Sequence, residues 1–259
     1  MFGATRSLPG SAATAPGERI YAIGDVHGRY DLLRALFDKI ETHTSSLGAP
    51  RSLKIIILGD VIDRGPDSAR VLQFLSSVQR RTNRLTVLMG NHEEMLLRVL
   101  DGYISVQRPW LSQGGLETLE SLGVPVPADD DPPSLLAERL REALPGPTVQ
   151  WLRTLPLTAR SGDYLFCHAG IRPGVSVKRQ ARADLLWIRD EFLDMEEWQG
   201  VVVVHGHSQS PAVEFHPNRI GVDTGAYRTG VLTALAIEGH DRWLVDTRPN
   251  SRNETAPRN

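Results

Sequence analysis

The chain has 259 residues, of which 41% are hydrophobic and 23% charged, and its formal net charge is -2. This composition is typical of a globular enzyme, and the near-neutral charge argues against a nucleic-acid partner held by bulk positive charge. A single cysteine, Cys167, excludes an intramolecular disulfide framework and favours a cytoplasmic location. Because no apolar run reaches the length of a membrane span, we expect no membrane association.

The length fits one large domain or two small ones, and we predict one domain at residues 18–246. Residues 1–17 are rich in small residues and proline and lack the apolar core of a signal peptide. We therefore predict mobile tails at residues 1–17 and 247–259.

The first third of the domain alternates between strands and helices. Short aliphatic runs predict strands at residues 20–23, 53–58 and 85–89, and apolar residues at helical spacing predict helices at 30–42, from 66 onward and at 93–100. Repeated strand–helix units with apolar strands indicate an α/β domain with a largely parallel sheet covered by helices.

Residues 102–157 follow a different pattern, and we predict a helical insertion beside the active face. Its helices are predicted at residues 110–122, 134–143 and 148–155. The acidic run at 129–131 is interpreted as a solvated loop, with metal binding as the alternative. Beyond this insertion, apolar runs predict buried strands at 164–167 and 201–204 and a meander of strands at 212–215, 219–222 and 231–237.

Five short segments place metal ligands or phosphate-binding groups directly after an apolar run. They are GDVHG at 24–28, GDVIDRG at 59–65, GNHE at 90–93, CHAG at 167–170 and HGHS at 205–208. Because ligand-binding crevices lie beyond the carboxyl ends of strands in open α/β sheets, these turns can converge on one point. A lone aspartate after a strand is usually a helix cap, but the full set is hard to explain by coincidence.

The ligand types predict a pair of divalent cations. A two-metal site needs a bridging carboxylate between cations about 3.5–4 Å apart, and Asp60 lies in the central segment. Asp25 and His27 alternate along an extended turn, so both can face one cation. The candidates for the second cation are Asn91, His168 and His207. Mixed oxygen and nitrogen ligands suit first-row cations better than Ca²⁺ or Mg²⁺.

Two further pairs of residues are candidates for catalysis and phosphate binding. His92 can hydrogen-bond to Asp63 and so act as a proton donor to a leaving oxygen, while the alternative is that His92 caps a helix starting at Glu93. Arg64 and Arg189 offer planar forks for phosphate oxygens, although Arg189 by itself could equally form a surface ion pair.

The segments GDVHG, GDVIDRG and GNHE resemble the signature of the phosphoprotein phosphatase branch of the calcineurin-like metallophosphoesterases. The later segments FCHAG, LLWIR, HGHS and GVDTGA fit the same family, so the resemblance covers residues 20–237. The similarity is greatest to compact bacterial and phage serine/threonine phosphatases, with symmetrical diadenosine tetraphosphatases as near relatives. This resemblance implies a central β-sandwich flanked by helices.

The resemblance also implies two divalent metal ions, with Mn²⁺ as the first choice and iron or zinc as alternatives. The implied ligands are Asp25, His27 and Asp60 for the first metal, and Asp60, Asn91, His168 and His207 for the second. His92 and Asp63 would form the proton-donating pair, and Arg64 and Arg189 would hold the substrate phosphate. His205 is left out of the ligand set.

The implied reaction is phosphomonoester hydrolysis by a hydroxide that bridges the two cations. We expect a protein serine/threonine phosphatase, because the tetraphosphatase branch more often has aspartate at the position of Glu93. The alternative is a symmetrical bis(5'-nucleosyl)-tetraphosphatase, and a third hypothesis is an inactive binding module of the same fold. The expected partner is a phosphorylated protein or a small phosphoester, and oligomeric state is left open.

Basic residues after the His168 segment bear on the choice of substrate. They are Arg172, Lys178, Arg179 and Arg182. We interpret them as a solvated loop, with a cationic rim for a polyphosphate as the alternative. From the sequence alone, we therefore expect a phosphopeptide to be a better substrate than diadenosine tetraphosphate.

The first testable prediction concerns metal removal. Protein stripped of metal by a chelator should lose its phosphatase activity, and Mn²⁺ should restore the activity better than Ca²⁺, which prefers larger, oxygen-rich sites. The measurement is the turnover of p-nitrophenyl phosphate, with the metal content followed by elemental analysis. Undiminished turnover in a metal-free sample would contradict the two-metal interpretation.

Overall fold

The computed structural model describes residues 12–128, 130–196 and 200–249, and its strands form two five-stranded mixed sheets. The strands are β1 (Glu18–Ile23), β2 (Ser52–Ile57), β3 (Leu85–Val87), β4 (Thr158–Ser161), β5 (Tyr164–Cys167), β6 (Val202–His205), β7 (Glu214–Phe215), β8 (Arg219–Gly221), β9 (Thr233–Glu238) and β10 (Asp241–Asp246). The helices are α1 (Tyr30–Ser46), α2 (Ser68–Arg81), α3 (Asn91–Leu100), α4 (Ile104–Trp110), α5 (Leu116–Leu122), α6 (Leu135–Ala143), α7 (Gly146–Arg153), α8 (Arg182–Trp187), α9 (Asp190–Leu193) and α10 (Ala226–Thr229).

The parallel strands lie at the centre of each sheet. The first sheet has the order β10-β9-β1-β2-β3, in which β1, β2 and β3 are parallel and β9 is antiparallel to both of its neighbours. The second sheet has the order β4-β5-β6-β8-β7, in which β5, β6 and β8 are parallel and the two edge strands are antiparallel. The prediction of parallel strand–helix units is therefore confirmed for the centre of the fold.

The two sheets pack face to face around a buried apolar layer. Along β1, Ile20 and Ala22 face the second sheet, whereas Tyr21 and Ile23 pack beneath the helices on the other side. Side chains alternate across a strand, so a strand covered on both faces must be apolar at every position. The predicted β-sandwich flanked by helices is confirmed.

The predicted meander near the end of the domain is wrong. The strands β7 and β8 form an antiparallel pair at the edge of the second sheet, but β9 joins the first sheet and pairs with β1 and β10. The reason is that β9 is apolar on both faces: Leu235 and Ile237 lie between the sheets, and Ala234 and Ala236 face the helices. Such a strand is stable only at a covered position in a sheet.

The segment between α3 and β4 is helical, as predicted, and it contacts the loop that follows β2. A π-helical turn at Leu111–Gly115 joins α4 to α5, and in it the carbonyl of Gly114 accepts a hydrogen bond of 3.1 Å from the amide of Arg64. Gly114 has φ 114°, and a Cβ at this position would lie 2.6 Å from the Arg64 nitrogen. Only glycine allows both this backbone conformation and this close approach.

Parts of both predicted tails pack against the domain. The amide of Thr14 donates to the carbonyl of Gly239 at 3.1 Å, and the amide of Ala13 donates to the carboxylate of Asp163 at 3.0 Å. The amide of Thr247 donates to the carbonyl of Leu232 at 3.1 Å. Residues 1–11 and 250–259 lie outside the described part of the chain, as does Asp129 of the acidic run. No helix among the described residues is both long and apolar enough to cross a membrane.

The second prediction tests the layer between the sheets. Phe166 is fully buried there, so Phe166→Ala should lower the free energy of unfolding by about 3–5 kcal/mol, through lost apolar burial and the cavity left behind. The control is Val126→Ala, because Val126 is 54% exposed and its truncation should change stability by less than about 0.5 kcal/mol. Urea unfolding measures both, and equal small losses would contradict the sandwich core.

Candidate metal centre

The loops that follow five strands meet at one edge of the sandwich. The carbonyl of Asp60, after β2, accepts hydrogen bonds from Val26 and His27, after β1, at 3.1 and 2.9 Å. The amide of Gly206, after β6, donates to the carbonyl of His168, after β5, at 2.9 Å. Backbone hydrogen bonds between loops therefore bring together side chains that are far apart in the sequence.

One group of donor atoms consists of atoms from Asp60, His168 and His207, which all lie within 4.8 Å of one another. The Asn91 Oδ1 atom lies 2.7 Å from His168 Nε2 and 3.0 Å from His207 Nδ1, and His168 Nε2 lies 3.4 Å from Asp60 Oδ2. Ligand atoms about 2.0–2.2 Å from a shared cation are separated by about 3 Å. These four side chains therefore fit one cation.

A second group of donor atoms also includes Asp60 and contains His27 and His92. His27 Nε2 lies 3.7 Å from Asp60 Oδ2 and 3.9 Å from Asp25 Oδ2, so Asp25 also faces this group. Asp60 is the carboxylate that belongs to both groups, as expected of a bridging ligand. His92 Nε2 lies 3.8 Å from Asp60 Oδ2, close enough to compete with Asp25 as a ligand, although the sequence motifs assign His92 to proton transfer instead.

Burial controls the protonation of the imidazoles in these groups. Burial, together with the nearby His168, lowers the pKa of His207 to about 2, so this ring is neutral and can donate a lone pair to a metal. His168 is more deeply buried than His207, but the carboxylate of Asp60 overcomes the effect of burial and raises the pKa of His168. Within the described residues, His207 Nε2 has no hydrogen-bond partner.

The backbone at the site is strained. Five residues other than glycine have positive φ angles in the described chain, and all five belong to the candidate site: His27 (44°), Asp60 (48°), Asp63 (71°), Arg64 (66°) and His207 (62°). A left-handed conformation costs about 1–2 kcal/mol for such a residue. Strain of this kind persists where surrounding contacts hold the backbone, and it is concentrated at functional sites.

Glu93 holds the loop that carries Asp60. Its buried carboxylate accepts hydrogen bonds from the amides of Asp60 and Val61 at 2.9 Å, from Ile62 at 3.3 Å and from Gly90 at 2.9 Å. All of these donors are backbone groups, so the carboxylate faces the loop rather than a substrate. Glu93, expected from its motif to indicate the substrate, instead positions the loop after β2.

The predicted pair of Asp63 and His92 is present. His92 Nδ1 lies 2.7 Å from Asp63 Oδ2, and although burial opposes a charge on the ring, Asp60 and Asp63 raise the pKa of His92. The alternative that His92 caps a helix is wrong, because α3 begins at Asn91 and its N-cap is Gly90. The imidazole of His92 therefore does not cap the helix, and the two nearby carboxylates favour its protonated form.

Two residues of the helical insertion complete this pair and were missed by the sequence analysis. Trp110 Nε1 donates to Asp63 Oδ2 at 2.9 Å, and Thr118 Oγ1 donates to Asp63 Oδ1 at 2.5 Å. Both lie on helices whose sequence pattern shows only apolar spacing, so no local signal identified them. With three side-chain donors, Asp63 is held in one orientation and its carboxylate is fully satisfied.

The two arginines predicted to bind phosphate lie in different environments. Arg64 covers the centre, with Nη1 2.9 Å from His27 Nε2 and Nη2 3.1 Å from His92 Nε2. Its guanidinium also lies 5.0 Å from the centre of the Tyr227 ring. Arg189 is exposed, and its charge contributes to lowering the pKa of His207, after burial and His168. Arg189 follows Trp187 by two residues in the chain, and the ring centre of Trp187 lies 6.4 Å from that of His207.

The sequence model of the family described as "Calcineurin-like phosphoesterase" matches residues 18–241. This match covers most of the chain, including every candidate ligand. The chain therefore belongs to the calcineurin-like phosphoesterase family.

Known relatives agree with this assignment. A protein of Vibrio cholerae named symmetrical bis(5'-nucleosyl)-tetraphosphatase is 27% identical over 217 residues, covering 83% of this chain and 66% of the relative. This chain spans two-thirds or less of the length of the curated relatives that it matches, and less than half of several. The sequence similarity is therefore to part of each of those proteins.

Solved structures share the fold. A structure described as a candidate diadenosine tetraphosphatase has a TM-score of 0.60 and 22% identity, covering 91% of this chain and 98% of the other. A protein serine/threonine phosphatase from Saccharomyces cerevisiae has a TM-score of 0.56 and 14% identity, covering 92% of this chain and 82% of the other. At these identities, the likeness is one of fold.

The third prediction separates the two histidines of the HGHS segment. His207→Ala should lower metal occupancy and nearly abolish activity, because His207 Nδ1 lies within the donor group. His205→Ala should leave occupancy unchanged, because His205 Nδ1 lies 3.0 Å from the carbonyl of Gly206 and its ring packs on Phe192. Anomalous scattering and elemental analysis of both variants measure occupancy. Loss of a metal only in the His205 variant would reverse the assignment.

Proposed function

We propose that this protein is a metal-dependent hydrolase of dinucleoside polyphosphates, of the symmetrical bis(5'-nucleosyl)-tetraphosphatase type. The observation that carries a metal-dependent hydrolase is the sharing of Asp60 between two groups of donor atoms. The choice of substrate is supported by the names of the curated relatives, several of which are called symmetrical bis(5'-nucleosyl)-tetraphosphatase.

The residues present fit two cations. We assign Asp25, His27 and Asp60 to the first, and Asp60, Asn91, His168 and His207 to the second. The mixture of carboxylate, amide and imidazole favours Mn²⁺, with iron or zinc as alternatives. When bound, two such ions supply Lewis acidity and an activated water.

The remaining side chains act on the substrate phosphate and the leaving group. The planar forks of Arg64 and Arg189 neutralise the charge that develops on the phosphate oxygens. The imidazolium of His92 donates its proton to the departing oxygen, while Asp63 stabilises the charged ring and fixes its orientation. Trp110 and Thr118 in turn fix Asp63, so the insertion supports proton transfer as well as the fold.

The contacts of Glu93 give no support to a protein phosphatase. We expected a protein phosphatase from Glu93, from the short helical insertion and from the absence of a basic surplus. The Glu93 carboxylate is buried and engaged with backbone amides, so it is not positioned to distinguish one substrate from another. The basic loop gives no further support to either substrate. Arg172 pairs with Asp184 at 2.7 Å, and Arg182 pairs with Glu94 at 2.7 Å, as expected of a solvated and charge-balanced surface.

The fourth prediction compares substrates. In Mn²⁺ and at one salt concentration, kcat/KM for diadenosine tetraphosphate should exceed that for a phosphoserine or phosphothreonine peptide by at least tenfold, about 1.4 kcal/mol of transition-state preference. Release of ADP is measured by chromatography, and release of phosphate from the peptide by a colorimetric assay. A preference for the peptide of the same size would assign the protein to the phosphoprotein phosphatases instead.

A double variant serves as the control for this comparison. Asp60→Asn combined with His207→Ala removes ligands from both donor groups, so it should abolish turnover of both substrates if one centre serves both. Residual turnover of either substrate by this variant would indicate a contaminating enzyme.

A further inference from the structure

One exposed aromatic ring lies at the edge of the candidate metal centre. Trp187 is 37% exposed, and the centre of its ring lies 6.4 Å from that of His207 at an interplanar angle of 81°. The helix α8, which ends at Trp187, buries Leu185 and Leu186 instead. Part of the indole is therefore exposed at the surface beside the second donor group, and Trp187 is not among the residues of the buried core.

The orientation of this indole is fixed by a residue of α3, the helix that carries two residues of the candidate site. Trp187 Nε1 donates to Glu94 Oε2 at 2.8 Å, and Arg182 Nε donates to Glu94 Oε1 at 2.7 Å. Glu94 lies on α3, the helix that also carries Asn91 and His92. The ring is thus held relative to the donor groups before any ligand arrives, which reduces the entropy lost on binding.

Trp187 and Arg189 share one side of the chain. Ile188 lies between them, with extended backbone angles of φ -60° and ψ 143°, and it is 5% exposed while both neighbours are exposed. The buried side chain of Ile188 packs into the core, whereas Trp187 and Arg189 on either side of it are exposed and line the same cleft. Among the described residues, the guanidinium of Arg189 makes no hydrogen bond or ion pair, so it is available to an anion.

These two side chains line a single open cleft with a volume of about 640 Å³. Clefts of about 300–1,000 Å³ are typical of sites for small organic ligands. The other side chains of this cleft include the acidic residues Asp184, Asp190 and Glu191. Arg172 also lines the cleft but is paired with Asp184 and Glu191, so Arg189 is the cation among the described lining residues that is left for a phosphate beside the indole.

We propose that Trp187 is the stacking platform for a nucleobase of the substrate, with Arg189 holding the phosphate between that base and the metal centre. This inference rests on the proposed function and adds the residue that selects for a nucleotide. Stacking of a base on an aromatic side chain corresponds to roughly 5- to 150-fold in affinity. The platform distinguishes a nucleoside polyphosphate from a phosphate ester that lacks a base.

The fifth prediction compares two variants and two inhibitors. Trp187→Leu should weaken inhibition by ADP by at least fivefold, with inhibition by pyrophosphate changed by less than twofold, because only ADP carries a base. Trp187→Phe keeps a flat ring and should retain most of the ADP affinity. The inhibition constants are measured against hydrolysis of p-nitrophenyl phosphate, which does not require the protein to act on a dinucleotide.

Fluorescence provides a measurement that does not depend on turnover. ADP should quench part of the tryptophan emission of the unsubstituted protein, and Trp187→Phe should remove that quenching while ADP still binds. Trp243→Phe is the control, because Trp243 lies on β10 against His43 and its loss should leave the quenching in place. Quenching that survives in the Trp187 variant would place the base elsewhere and overturn the proposal.

The outcomes separate this inference from the proposed function. If ADP and pyrophosphate lose affinity equally in Trp187→Leu, Trp187 supports the phosphate site and the platform is overturned, whether or not diadenosine tetraphosphate is hydrolysed. If the selective loss of ADP affinity occurs but diadenosine tetraphosphate is a poor substrate, the platform stands and the proposed function fails. A selective loss in both inhibition and dinucleotide turnover supports both.

Discussion

The candidate site depends on the hydrogen bonds between the Glu93 carboxylate and the loop that follows β2. In that loop Asp60, Asp63 and Arg64 have left-handed backbone conformations, which are unfavourable for residues other than glycine. Contacts with the rest of the protein must therefore hold the loop in this conformation. Three backbone amides of this loop, those of Asp60, Val61 and Ile62, donate to the one buried carboxylate and supply these contacts. Because Asp60 belongs to both donor groups, loss of this anchor would separate both groups at once.

The sandwich gives this loop a rigid base. Parallel strands at the centre of each sheet end at the same edge, so the loops after β1, β2 and β3 meet those after β5 and β6. The apolar layer between the sheets fixes the distance across which His168 and His207 approach Asp60. Close packing of this layer therefore contributes to the geometry of the donor atoms as well as to stability.

The helical insertion is joined to the site by specific contacts. Trp110 and Thr118 orient Asp63, and the close approach of Gly114 holds the backbone of Arg64. On the opposite side, Glu94 orients Trp187 from α3. One short helix thus presents Asn91 and His92 to the centre and fixes an aromatic ring at its edge, so the proposed base platform and the candidate metal centre share the same support.

The sequence by itself determined the alternation of strands and helices, the apolar strands and the five segments that carry the candidate ligands, because these are local patterns of residue type. Tertiary structure decided what depends on partners far along the chain. The strand β9 belongs to the first sheet because both of its faces are covered there. The Glu93 side chain faces the loop after β2 because the buried backbone amides of that loop need a hydrogen-bond acceptor. Trp110 and Thr118 carry no local signal at all, since their role arises only when the insertion folds back onto Asp63.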